Sequence, residues 1–341
     1  MSIFEETLKL AAKNNASDVH FSSGSPPVLR IIGDLKRVDT EPVQIEALRD
    51  YLNQYLTQDQ KKKLDSNQEV DLAIHLPGVS RFRVNVFKQM NGMSAAFRLI
   101  PTEIKSLEEL RMPPILKQFM KQKKGLVLLT GPTGSGKSTT LAGMINEVNY
   151  TRREHIITIE DPIEYIHEPK QSMIHQREVG GNTEDFATAL RACLRQDPDV
   201  ILVGEMRDLE TITNALQAAE TGHLVLSTLH TNSASETIDR IINVFPAEQQ
   251  QQIRTVLAAS LVAVIAQRLV KMAMKNDRIA VMEILAASDA VRNLIREGKT
   301  YQLNSVIQTG TEFGMQTFDK SLSDLRQNNL IPPDMLSVDS I

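Results

Sequence analysis

The stretch GLVLLTGPTGSGKSTT, residues 125–140, limits the possible folds more than any other part of the chain. A short aliphatic run leads into G-x-x-x-x-G-K-[ST], with Gly131, Gly136, Lys137 and Ser138 in the specified places, and helix-forming text, STTLAGMINEV, follows. Strand, glycine loop and helix in that order are the context that marks a P-loop. Glycines let the backbone curl so that successive N–H groups and the helix N-terminus face a β-phosphate. Lys137 adds a point charge between the β- and γ-phosphates, and Ser138 a magnesium ligand. The expected nucleotide-binding residues are therefore Gly131, Pro132, Thr133, Gly134, Ser135, Gly136, Lys137, Ser138 and Thr139.

The surrounding text predicts the sheet that carries this loop. HIITIE, DVILVG and LVLSTLH are short aliphatic runs of the kind found in strands buried on both faces, with helical text between them, so a parallel sheet with crossover helices is expected. The first hundred residues read differently. A helix at 4–15 precedes two strands broken by the turn at 24–27, and helical text runs from Glu46 to about Leu64. From Glu69 to Leu99 apolar residues then alternate with polar ones, as in strands with one wet face. Pro101, Pro113 and Pro114 mark a linker. The expected organisation is an α+β domain at 1–100, a linker at 101–112 and a P-loop domain at 113–341. The last hundred residues read as helical, with Ile253, Val256, Leu257, Leu261, Val264, Ile265 and Leu269 on one stripe.

Bulk properties exclude several classes. With 41% hydrophobic and 23% charged residues, the chain of 341 has the composition of a soluble globular protein. A net charge of -4 and only 4% aromatics argue against a nucleic-acid partner, which would be expected to leave a basic patch and to need rings for stacking bases. The one basic run, Lys121 to Lys124, is short and reads as a solvated face. The N-terminus has no apolar signal region, so a cytoplasmic location is expected. The longest apolar stretch, broken by Ser260, Gln267 and Arg268, falls short of the roughly 20 residues needed to span a bilayer. Any membrane association is expected to be peripheral. The single cysteine, Cys193, excludes an intrachain disulfide and a multi-cysteine zinc site, and its helical neighbours suggest burial.

Three acidic groups compete for the metal and for the attacking nucleophile: Glu160, Asp161 and Glu164 after HIITIE; Asp199 before VILVG; and Glu205 with Asp208 after it. Ligands of parallel sheets gather at the carboxyl ends of strands, which disfavours Asp199. Between Glu164 and Glu205 the residues alone do not decide. His230 ends a strand as the acids do and suits a γ-phosphate sensor, whereas His223 precedes that strand. Arg81, Arg83 and Arg98 leave their strands opposite the core, where arginine can recognise phosphate from outside the P-loop domain. Transfer of the γ-phosphate to water, as in a motor, and to a small-molecule acceptor, as in a kinase, both remain open.

Taken together, ASDVHF, GPTGSGKST, TIEDPIEY, VILVGEMRD, TGHLVLSTLHT and FDKSL resemble the secretion-ATPase superfamily, which drives type IV pili and type II and IV secretion. The likeness is greatest to its pilus retraction branch. AVRNLIRE, residues 290–297, is similar to that branch's AIRNLIRE motif, and one cysteine cannot supply the four-cysteine zinc motif common in assembly ATPases. The resemblance implies an α/β fold: a PAS-like N-terminal α+β domain, then a RecA-like P-loop ATPase domain with C-terminal helices from about 289. It assigns Glu164 as general base, Glu205 as the atypical Walker B acid on magnesium, and His230 as the end of the His box. Arg83 and Arg98 match the arginines that reach nucleotide at the subunit boundary. The implied activity is hydrolysis of Mg-ATP by a homo-hexamer that powers type IV pilus retraction and twitching motility at the inner membrane. Its implied partners are a polytopic platform protein and a paralogous retraction ATPase. An accessory retraction ATPase is the nearest alternative, which AVRNLIRE and GEMRD disfavour.

Overall fold

Alternation in SRFRVNVF becomes a two-faced strand. Phe82, Val84 and Val86 are fully buried, while Arg81 and Arg83 turn to the opposite face. The computed structural model describes residues 2–31, 33–100, 103–274 and 277–335, which leaves Pro101 and Thr102 of the expected linker and the terminal residues 336–341 outside it. The chain divides into two compact units, Met1–Glu103 and Ile104–Ile341.

The first unit comprises α1 (Ile3–Lys13), β1 (Asp18–Ser22), β2 (Val28–Ile31), β3 (Asp34–Arg37), α2 (Ile45–Asn53), α3 (Gln58–Asp65), β4 (Val70–Leu76), β5 (Ser80–Gln89) and β6 (Gly92–Ile100). Its strands form one antiparallel sheet in the order β3-β2-β1-β6-β5-β4. The buried apolar residues of α1, Phe4, Leu8 and Ala11, lie on the face that its sequence spacing predicts. Phe4 packs edge-on to Phe21 at 5.1 Å and stacks on Tyr51 of α2 at 4.7 Å, while Phe21 meets Phe97 at 5.2 Å. One aromatic cluster thus joins both helices to the sheet. The helical text after Glu46 is split because Thr57 and Gln60 form a capping box that starts α3 afresh.

The second unit contains α4 (Ile115–Phe119), β7 (Gly125–Thr130), α5 (Lys137–Thr151), β8 (His155–Glu160), β9 (Met173–Glu178), α6 (Phe186–Cys193), β10 (Val200–Val203), α7 (Leu209–Thr221), β11 (Leu224–Leu229), α8 (Ala234–Asn243), α9 (Ala247–Ser260), β12 (Leu261–Lys271), β13 (Arg278–Ala286), α10 (Asp289–Arg296), α11 (Leu303–Thr309) and α12 (Phe318–Gln327). The sheet runs β13-β12-β7-β11-β10-β8-β9, all parallel except the edge strand β13. Every residue of β7, β10 and β11 is buried, as uninterrupted aliphatic runs require. Cys193, the last residue of α6, is fully buried, and burial pushes its thiol up to about 11. Among the described residues no helix is long and apolar enough to cross a membrane.

Two expectations change. The stripe from Ile253 to Leu269 is not one helix: α9 stops at Ser260, and Leu261 to Lys271 form β12, paired with β7 on one side and β13 on the other. A wholly apolar run fits a helix and a doubly buried strand equally well, and only the partners available on each side decide. The expected linker also belongs partly to the second unit, since Leu107 is 2% exposed in its core. Gly143 of α5 makes room for it, because a Cβ there would stand 3.2 Å from both Leu107 and Leu110.

Helix α10 carries AVRNLIRE. Val291 and Ile295 are buried and Leu294 partly so, but Arg292 is not the wet residue that amphipathic spacing suggests. Its guanidinium donates to the carbonyls of Ala258 and Ala259 in the last turn of α9, a cation placed where the helix dipole is negative. Arg292→Ala is expected to cost about 1–2 kcal/mol of stability. A thermal melt of the variant would read this as a lower midpoint, and an unchanged midpoint would show that those carbonyls find other partners.

Candidate nucleotide site

Four neighbouring strands, β7, β11, β10 and β8, end side by side, so their carboxyl ends span about 14 Å at normal strand spacing. Each end carries a predicted group: the P-loop after β7, His230 after β11, Glu205 after β10, and the acidic segment after β8.

The P-loop closes on the N-terminus of α5, with Gly136 at the cap position in a left-handed conformation, φ +85°. Gly131 has φ +145°, and a Cβ there would lie 2.2 Å from the backbone oxygen of Gln267 in β12. Only glycine satisfies both the conformation and the approach. Pro132, Thr133, Gly134 and Ser138 are exposed, whereas Ser135 is buried. Lys137 donates to the carbonyls of Gly131 at 2.7 Å and Pro132 at 3.1 Å. Burial lowers its pKa, against an opposing pull from Glu205. Thr139 shares a 2.8 Å hydrogen bond with the hydroxyl of Tyr165, which ties the start of α5 to the acidic segment.

The acids divide by what already occupies their oxygens. Asp199 accepts from the amide of His155 at 2.8 Å, pinning two strands at their amino ends. Asp208 is the N-cap of α7, accepting from the Thr211 amide at 2.8 Å and its hydroxyl at 2.7 Å. Glu160 accepts from Thr158 at 2.6 Å, Gln176 at 3.3 Å and the Glu164 amide at 3.4 Å, and burial nonetheless pushes its carboxyl above the usual range. Glu164 is exposed on the segment that follows. Glu205 lies 2.7 Å from Arg207 and 3.4 Å from His230. Burial works to raise the Glu205 carboxyl, but the Arg207 guanidinium, with the His230 ring beside it, outweighs burial and holds the group below the ordinary glutamate value.

Why the acid stands at 205 and not at the strand's immediate end follows from Gly204. Its amide donates to the Ile159 carbonyl at 2.7 Å, and a Cβ at this position would meet that oxygen at 3.2 Å and the Glu160 Cα at 3.3 Å. Close approach of β10 to β8 therefore admits a Cβ there only if the neighbouring backbone shifts by a few tenths of an ångström.

The segment 161–172 joins parallel strands β8 and β9 without a helix. Side chains shape it. Gln176 donates to the Tyr165 carbonyl at 2.8 Å and accepts from the His167 amide at 2.9 Å, Glu178 accepts from the Ile163 amide at 3.1 Å, and Asn149 donates to the Glu168 carbonyl at 2.8 Å. Beside it, Thr130 at the end of β7 bonds the Thr231 carbonyl at 2.7 Å and receives its amide at 3.0 Å, fixing the turn that presents His230. His223 is spent on the other end of β11, where its ring lies 3.0 Å from the Ala218 carbonyl at the end of α7. Arg83 and Arg98 belong to the first unit, directly opposite one another across β5 and β6, and Arg98 pairs with Asp18 at 2.9 Å.

Residues 1–325 match the family of type II/IV secretion system proteins. The chain belongs to that family. It is 49% identical over 326 residues to the "Type IV pilus retractation ATPase PilT" of Pseudomonas aeruginosa, covering 96% of this chain and 94% of the relative. A "Twitching motility protein" of Neisseria gonorrhoeae is 52% identical over 308 residues, covering 90% and 82%. The crystal structure of the pilus retraction motor PilT with bound ADP superposes with a TM-score of 0.91 at 44% identity, covering 100% of this chain and 99% of that one. The secretion-family fold is thus α/β, a β-rich N-terminal unit followed by a parallel-sheet P-loop unit.

One residue beside this family's P-loop escapes sequence reading. Gln267, 1% exposed in β12, donates to the Ser135 carbonyl at 2.6 Å and accepts from the Thr140 hydroxyl at 2.8 Å. As a polar residue inside an apolar run it signals a buried partner, but no spacing rule names the loop as that partner. For the acidic side of the site, Gly204→Ala is expected to destabilise by about 1–3 kcal/mol through overpacking. A thermal midpoint equal to that of the native chain would show that β8 and β10 part there without cost.

Proposed function

We propose that this protein is a motor ATPase that hydrolyses Mg-ATP to power type IV pilus retraction, acting as a homo-hexamer with nucleotide between subunits. The observation that carries hydrolysis is the convergence of the P-loop, Glu164, Glu205 and His230 on adjacent strand ends. Retraction rests on the full-length likeness to the retraction ATPase.

The donor set fits a hard cation. Ser138 offers an exposed hydroxyl in the first turn of α5, and Glu205 a carboxylate kept ionised by its neighbours. Magnesium would neutralise charge on the phosphates, and these are the two residues that would hold it. Lys137 would exchange its bonds to the Gly131 and Pro132 carbonyls for phosphate oxygens, and loop amides with the α5 N-terminus would receive the rest. Glu164, exposed and oriented through its amide by Glu160, would align and deprotonate the attacking water. Arg207, whose own side chain is exposed, would have to yield Glu205 to the metal. His230 would sense the γ-phosphate, and Arg83 and Arg98 would act across the subunit boundary. We also propose a peripheral place at the inner membrane, where a polytopic platform protein would receive the stroke and a paralogous retraction ATPase would assist.

Glu164→Gln is expected to leave ATP binding within about twofold while kcat falls about 100- to 10,000-fold. Turnover retained within a fewfold would remove the base assignment. Release of inorganic phosphate by pure protein without added acceptor separates hydrolysis from kinase activity. A deletion strain is expected to carry surplus surface pili and lose twitching motility, whereas loss of pili would point to assembly.

A further inference from the structure

Gln267 stands outside the P-loop motif, yet it holds that motif at both ends of its turn. Ser135 precedes Gly136 and Thr140 follows Thr139, so the two hydrogen bonds of one buried amide bracket residues 136–139. The Ser135 carbonyl can only accept, which fixes the amide nitrogen toward it and the oxygen toward the Thr140 hydroxyl. The same residue packs on the motif's glycines. Its backbone oxygen would stand 2.2 Å from a Cβ at Gly131, and its amide nitrogen 3.0 Å from one at Gly136. Those glycines are therefore demanded by β12 as well as by a phosphate. The strand itself is anchored to β7 next to the loop, with Ala266 in register with Thr130.

We propose that Gln267 is a positioning residue for nucleotide binding, which sets the curvature of the P-loop so that its amides converge on the phosphates. This deepens the nucleotide reading given above and rests on it. A flexible glycine loop must otherwise lose its conformational freedom when the ligand arrives, and a preformed loop avoids that loss. The clamp should thus appear mainly in affinity and less in the chemical step.

The test compares Gln267→Leu, which keeps bulk but loses both bonds, with Gln267→Glu, which keeps the acceptor for Thr140 and loses the donor to Ser135. Binding of a fluorescent ATP analogue, KM and kcat, and the thermal midpoint without nucleotide are measured on the full chain. Gln267→Leu is expected to raise Kd and KM about tenfold or more, a change of about 1.4 kcal/mol, with kcat reduced less. Gln267→Glu is expected to bind at least as weakly, because its second carboxylate oxygen would face the Ser135 carbonyl, which can only accept. Combining Gln267→Leu with Thr140→Val should add little to the single change, since the bond that Thr140→Val removes is already lost in Gln267→Leu. A folded Gln267→Leu protein that binds within twofold of native overturns the proposal. So does a Gln267→Glu protein with native affinity, which would reduce the residue to core filling. Because binding is measured directly, failure of the native protein to release phosphate would refute hydrolysis and leave this test intact.

Discussion

Parallel pairing is the constraint on which everything else in the second unit depends. An antiparallel sheet alternates the direction of its strands and would send half of these groups to the far edge. Here β7, β11, β10 and β8 deliver a loop, a histidine and two acidic segments to one edge. Because these strands are covered on both faces, most of their residues are buried and aliphatic, and buried hydroxyls among them, such as Thr158, Ser227 and Thr228, are spent on hydrogen bonds to neighbouring groups. Chemistry is forced to the ends, and the buried threonines 130, 231 and 237 bond to one another to keep adjacent ends aligned.

The acids illustrate how hydrogen bonding assigns work. Glu160, Asp161, Glu164, Asp199, Glu205 and Asp208 look alike in sequence. Asp199 holds strand ends together, Asp208 caps a helix, and Glu160 braces the segment behind it. Glu164 keeps its exposed carboxylate, and Glu205 is the ionised group beside His230 and near Lys137. This separation supports giving the metal to Glu205 and the water to Glu164, a division that the residues alone left undecided.

Legibility followed the range of the interaction. The P-loop could be read because strand, loop and helix lie within sixteen consecutive residues, 125–140, whose chemistry is local. The antiparallel first sheet could be read from alternation at Phe82, Val84 and Val86. Strand β12 could not, since an apolar run has no period of its own and becomes a strand only when β7 and β13 offer their backbones. Gln267 and Arg292 were hidden for the same reason: each serves a partner brought close by tertiary pairing, the P-loop for one and the end of α9 for the other. Pro113 and Pro114 lie between the turn at 107–111 and α4, and Leu107 of that turn is nonetheless part of the core.

The connection between β8 and β9 has an evolutionary consequence. Neighbouring parallel strands usually require a helical crossover, whose shape is fixed by its own backbone bonds. Here the crossover is held by Gln176, Glu178 and Asn149, side chains outside the segment itself. Substitutions in the outer strand β9 can therefore reshape the segment that carries Glu164, but Asn149 of α5 and the Thr139–Tyr165 bond carry part of that change to the helix that follows the P-loop. The segment and the P-loop are thus fastened to one helix, so the two sides of the site change together rather than one at a time.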